Sequence, residues 1–197
     1  MSIYRKVQAI ERVFASLERE VATFQESTGM KCLSGCGACC KKPDIAATPL
    51  EFLPLAYQLY KSGQAYKWFE ELRAEPEMAN CKAFLPFVSE GDRGFCNQYN
   101  QRGLICRLFG FSAMLDKQGV PQLITCKTIK TEFPEAHSVS IKHIADKQPV
   151  PIMRNFYFQL RAIDTDLGQT LMPINKAIEE AIKVVLSYYS YRQRRGA

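Results

Sequence analysis

The stretch CLSGCGACCKK, residues 32–42, constrains this chain more than any other feature, because four of its eleven positions are cysteine and two of those adjoin. Sulfurs crowded so closely serve as a disulfide knot, a redox centre or a metal nest. Compartment and size decide among these. A chain of 197 residues hides roughly 70% of its unfolded surface on folding, so an ordinary core sustains it without staples. Hydrophobic residues at 47% and charged residues at 23% are the balance of a folded, soluble protein. The N-terminus, MSIYRKVQAIERVF, is charged throughout and lacks the apolar stretch of a secretory signal. No apolar run approaches the ~20 residues that span a bilayer. A cytoplasmic protein with no membrane partner is expected. In a reducing cytosol, cysteines at this density favour metal ligation or catalysis over disulfides, and the neighbours Cys39 and Cys40 are poorly placed to bond each other.

The formal net charge of +6 is thinly spread, which argues against a nucleic-acid partner. Its densest run is the tail Arg192, Arg194 and Arg195, read as a solvated end. Local charge has another use here. Lys31, Lys41, Lys42, Arg102, Arg107 and Lys127 flank cysteines, and cations there lower thiol pKa and favour the ligating thiolate.

Ile3, Val7, Ile10, Phe14, Leu17, Val21 and Phe24 step by four and three, which predicts an amphipathic helix over 2–28 that Gly29 ends. The stripe could form a homodimer seam, but a helix laid over its own core is favoured. Thr48, Pro49 and Glu51 read as an N-cap, a first-turn proline and a capping-box acid, starting a helix that runs to about Lys61. A second helix is expected from Ala65 to Arg73. Leu108–Leu115 and Val120–Cys126 read as a β-hairpin around DKQG, which would carry Cys106, just before its first strand, towards Cys126 at the end of its second. Residues 131–151 are loop-prone, with room for one short helix. Helical patterns near Arg154–Asp164 and over Pro173–Tyr191 close the chain. No repeat or linker is visible, so 1–197 is one domain, mainly α with a small β-hairpin around a cysteine-lined metal site.

Cys32, Cys36, Cys39 and Cys40 give C-x3-C-x2-C-C. Gly35 and Gly37 flank Cys36 and permit the positive-φ turns that aim successive side chains inward. Free amides in such a loop can donate to sulfur. Cys81, Cys96, Cys106 and Cys126 must either fold back onto this cluster or form a second site.

Together with Thr48-Pro49-Leu50-Glu51, CKAFLPF and CNQYNQRGLICRLFGF, the run CLSGCGACC resembles the YkgJ-type cysteine-cluster family, described as zinc- or iron-chelating with a CxxCxxCC signature. The resemblance covers about residues 30–127. It implies metal ligation by Cys32, Cys36, Cys39 and Cys40, then by Cys81, Cys96 and Cys106, with Cys126 matching a further downstream cysteine of many members. Arg107, directly after Cys106, is the candidate to hydrogen-bond the sulfurs or offset their charge, against a reading as a surface guanidinium on an edge strand. The family usually has Arg-Pro where this chain has Arg102-Gly103, which loosens the placement of Cys106. Glu51 is read as a cap before a metal ligand, Tyr99 as core, and His137 and His143 as surface or packing residues.

All-sulfur ligation suits zinc and iron–sulfur centres and excludes magnesium and calcium. Structural zinc usually recruits two separated C-x2-C knuckles, whereas a dense clump with distant cysteines is closer to iron–sulfur ligation. An iron–sulfur cluster, with four irons the expected form, is therefore favoured over zinc. Three functions stay open. The first is an iron–sulfur or zinc protein in electron transfer, sensing or cluster handling, with an unidentified redox or protein partner. The second is a small S-adenosylmethionine-dependent modification enzyme, since flagellin lysine N-methylases carry the same signature. The third is an adaptor that uses zinc as scaffold. The C-x3-C-x2-C spacing of radical S-adenosylmethionine enzymes is also present, but a fourth cysteine abuts it and no strand–helix barrel pattern follows.

Overall fold

Ser2 caps the first helix, its hydroxyl accepting from Arg5 N at 3.4 Å, and α1 (Ile3–Thr28) follows. Gly29 ends it in the left-handed region, φ 71°, with its N–H on Gln25 O, a conformation that glycine takes without a Cβ penalty. The computed structural model describes residues 1–76, 79–88 and 93–194, with side chains described through residue 191. The basic tail singled out above, Arg192, Arg194 and Arg195, thus falls outside the described side chains.

The cysteine loop and β1 (Ala46–Ala47) follow α1. A 3-10 turn at Pro49–Phe52 then runs into α2 (Leu53–Lys61), and α3 (Ala65–Ala74) comes next. β2 (Phe84–Pro86) and β3 (Gly94–Cys96) form a hairpin, and a second 3-10 turn at Tyr99–Gln101 leads to α4 (Leu104–Leu108). β4 (Ser112–Leu115) pairs antiparallel with β5 (Pro121–Ile124). The chain ends through α5 (Lys127–Glu132), α6 (Pro134–Ala145), α7 (Met153–Arg161), α8 (Thr165–Gln169), β6 (Met172–Pro173) and α9 (Ile174–Arg194). The fold is mainly helical with small two-stranded antiparallel sheets, as the sequence led us to expect. No helix among the described residues is long and apolar enough to cross a membrane.

The stripe of α1 is used inside its own chain. Ile3, Val7, Ile10, Phe14, Leu17 and Phe24 are buried, packing towards α2, α4, α6 and α7. Ile174, Ala177, Ile178, Ala181, Ile182 and Val185 of α9 are buried against α2 and α3. Phe24 apart, these faces form one continuous core, and at roughly 1.5–3 kcal/mol per large buried apolar side chain they supply most of the fold's driving force. A second, small core of Phe24, Met30 and Ile129 lies beside Cys126.

Three local readings are corrected. Leu104–Leu108 is a helix, so Cys106 lies within α4 and the first hairpin strand begins only at Ser112. Residues 134–145 form twelve residues of helix rather than mostly loop, because Pro134 occupies the first turn, where its missing N–H costs nothing. The β2–β3 hairpin and the β1–β6 pair were not anticipated; strands of two or three residues leave almost no periodicity to read.

Candidate metal centre

The loop from Cys32 to Cys40 is a run of tight turns, with Cys36 N on Leu33 O at 3.3 Å and Cys40 N on Gly37 O at 3.0 Å. Gly35 (φ 66°) and Gly37 (φ 58°) both take the left-handed conformation. Close packing fixes Gly37 as well, since a Cβ there would meet Phe84 Cε2 at 2.3 Å. The β2–β3 hairpin is laid on this loop by two backbone bonds, Gly94 N to Gly35 O at 3.0 Å and Cys81 N to Cys40 O at 2.8 Å. Cys81 precedes the hairpin, and Cys96 ends β3 opposite Phe84.

Glu51 places Cys106. Its carboxylate accepts from Thr48 N at 2.7 Å and Thr48 Oγ1 at 3.1 Å, which is the expected capping box, and from Ile105 N at 2.8 Å. One side chain thus caps both its own turn and the start of α4. Gly103, the residue before α4, keeps an extended backbone (φ −65°, ψ 172°) that proline could also take. A Cβ there would meet Phe52 Cζ at 2.7 Å and Glu51 Oε2 at 3.0 Å. The departure from Arg-Pro therefore makes room for Phe52 and Glu51 rather than loosening the turn. Cys126 stands at the N-terminus of α5, its sulfur accepting from Ile129 N at 3.4 Å.

These segments bring all eight cysteines, none in a disulfide, to the wall of one cavity of ≈ 150 Å³. The rest of the wall is largely apolar and includes Phe52, Phe111, Ile129, Ile174 and Ile178. Among the described residues, no three His, Cys, Asp or Glu side chains close into a group that could hold an ion as they stand. The thiols converge on one space without closing into a cage.

Their electrostatics follow from that crowding. Partial desolvation of its sulfur, then the neighbouring sulfurs of Cys36, Cys39 and Cys126, pushes Cys32 up to about 11 although the residue is largely exposed. Burial likewise pushes Cys81 up to about 11, lifts Cys96, and lifts Cys106 well above a thiol's ordinary value. Cys40 donates to Cys39, so Cys39 is lowered and Cys40 raised. The raised thiols hold their protons until a cation displaces them, which couples ligation to proton release.

Arg107 is neither at the sulfurs nor on an edge strand. It is 6% exposed, lies over the Phe14 ring, and donates to Glu18, to Asn100 O at 2.8 Å and to Arg102 O at 3.0 Å. Arg102 is the arginine on the cavity wall, and its charge lowers the proton affinity of Cys39 and Cys96. The sequence marked it only as one of six flanking cations; Gly103, which leaves room for Phe52 beside it, was the available signal. Tyr99 is exposed rather than core and stacks on Arg102, with the guanidinium carbon 3.9 Å from the ring centroid. His143 donates from its ring to Pro149 O, 2.9 Å away, and meets Phe24 edge-on, a packing role. Neither His143 nor His137 is on the cavity wall.

No curated protein and no solved structure matches the chain. A family model described as "CxxCxxCC: Putative zinc- or iron-chelating domain" matches residues 31–139, a span that holds all eight cysteines. This chain widens the first spacing to three residues, which the turn at Gly35 accommodates. The match spans more than half of the chain, which therefore belongs to the CxxCxxCC family of zinc- or iron-chelating domains.

Proposed function

We propose that this metal-binding protein is an iron–sulfur protein, its cysteines holding a four-iron cluster for electron transfer, sensing or cluster handling in a reducing compartment. One observation carries the reading: eight unpaired thiols from separate segments line a single, mostly apolar cavity of ≈ 150 Å³. In this reading Cys32, Cys36, Cys39 and Cys40 are the primary ligands, and Cys81, Cys96, Cys106 and Cys126 are the remote thiols that would complete the shell on loading. When bound, the cluster supplies one-electron chemistry. The chain's part is to surrender thiol protons, to keep water out with apolar walls such as Phe52 and Ile178, and to offset thiolate charge with Arg102. A structural zinc centre is the second reading, favoured by the family description, which names zinc beside iron.

Anaerobic purification with iron, zinc and acid-labile sulfide analysis tests this. A brown protein with matching iron and sulfide is expected. A colourless protein carrying stoichiometric zinc and no sulfide overturns the cluster. Cys36→Ser or Cys39→Ser should abolish loading, and full occupancy in either variant removes the ligand assignment. Cys81→Ser reports whether the remote thiols serve the same centre.

A further inference from the structure

Arg102 is the basic side chain on the cysteine cavity wall that the local structure leaves unused. Its Nε is buried and has no hydrogen-bond partner. No carboxylate among the described residues pairs with it. Native proteins answer nearly all buried donors, and one left open calls for an explanation such as a ligand. The residue is nonetheless firmly held. Its carbonyl accepts from Arg107 Nε at 3.0 Å, and its guanidinium lies 3.9 Å from the centroid of the Tyr99 ring. Arg107, with its donors on Glu18, Asn100 and Arg102, thus acts as the brace that positions Arg102.

Eight thiols that ligate metal become a concentration of negative charge in a largely apolar space. Such a centre needs a fixed cation and N–H donors at its sulfurs, and outer hydrogen bonds of this kind tune both affinity and potential. The guanidinium suits the task because it keeps its charge when buried and presents its N–H groups in a fixed plane. Cys39 and Cys96 line the same cavity wall as Arg102.

We infer that Arg102 donates its Nε–H to a ligand sulfur, that of Cys39 or Cys96, and offsets the charge of the loaded centre. The inference rests on the metal-binding reading above. It needs no particular metal, so cobalt(II) serves as the probe on the full chain. Arg102→Gln should bind cobalt with the wild-type stoichiometry but about 10–100-fold more weakly in competition with a chelator. Its sulfur-to-cobalt charge-transfer band should move to lower energy, because a sulfur that loses a hydrogen bond holds its lone pairs less tightly. Arg102→Lys should recover part of the affinity, since it keeps the charge, while the band stays shifted.

Wild-type affinity together with an unmoved band in Arg102→Gln overturns the role. A second measurement needs no variant. In the wild-type chain labelled with nitrogen-15, zinc loading should shift the Arg102 Nε–H resonance and slow its exchange with water; an unchanged resonance overturns the hydrogen bond. The two levels of inference fail separately. A wild-type chain that takes up no cobalt removes the metal reading itself, whereas a loaded wild type with an indistinguishable Arg102→Gln removes only Arg102.

Discussion

Glu51 has no exposed surface, yet its carboxylate serves two N-termini, the turn after Thr48 and helix α4. Burial is the larger influence on its proton, and it wins over the hydrogen bonds from Thr48 and Ile105, raising the group to about 7 from 4.5. In the unfolded chain the proton leaves near 4.5; in the folded chain it stays until near 7. The folded state therefore binds more protons across that window, and stability must fall as pH rises through it. A tenfold difference in proton affinity is worth about 1.4 kcal/mol, so the effect is on the order of 3 kcal/mol. Glu51→Gln cannot titrate and should lose this slope. Urea unfolding of metal-free protein between pH 4.5 and 7 checks it: a variant that declines as steeply as wild type would show that Glu51 is not the group responsible.

At the scale of elements, the contrast is between pieces held by their own residues and pieces held by remote ones. The stripe, Ser2 and Gly29 define α1 from within, so it was legible to within a residue at each end. Helix α4 was not anticipated, and its last residue, Leu108, reads as the start of a strand, because the helix's cap, Glu51, lies over fifty positions away. The eight-cysteine cavity was legible as residue types but not as one space, since spacing says nothing about Cys81 N reaching Cys40 O. The β2–β3 hairpin depends on the same remote contacts, which makes the glycine beneath it testable. Gly37 and Gly63 share positive φ, 58° and 73°, but a Cβ at Gly37 would meet Phe84 at 2.3 Å while one at Gly63 meets nothing within 4 Å. Gly63→Ala should cost only the backbone penalty of roughly 1–2 kcal/mol. Gly37→Ala should add about 1–3 kcal/mol of overpacking and lift the strand bearing Cys96. In a chain of this size each kcal/mol is worth roughly 2–4 °C of melting temperature. Equal melting shifts in the two variants, with equal metal uptake, would refute the support given by Phe84.

The whole molecule divides its labour unevenly. Its core is built by α1, α2, α3, α7 and α9, while of the cysteines Cys81 alone belongs to it and Cys40, Cys96 and Cys106 pack against it half-buried. Helices α7 to α9 lie beyond the family match at 31–139, yet β6 pairs with β1, and Ile174 and Ile178 of α9 form part of the cavity wall. The C-terminal helix thus belongs to both the core and the site, and it stays anchored through α2 and α3 whatever happens to the sulfurs. Removing the metal should therefore release the cysteine loop and the β2–β3 hairpin without melting the helices. A ligand at a thousandfold excess over its Kd stabilises the state it binds by about 4 kcal/mol, or roughly 10 °C at the exchange rate for chains of 150–250 residues. After chelation the far-ultraviolet helix signal should persist, the melting temperature should drop by about that amount, and hydrogen exchange should quicken at 31–45, 81–87 and 93–97 while α1 and α9 stay protected. Loss of the helix signal on chelation would mean that the metal, and not the apolar faces of α1 and α9, holds this chain together.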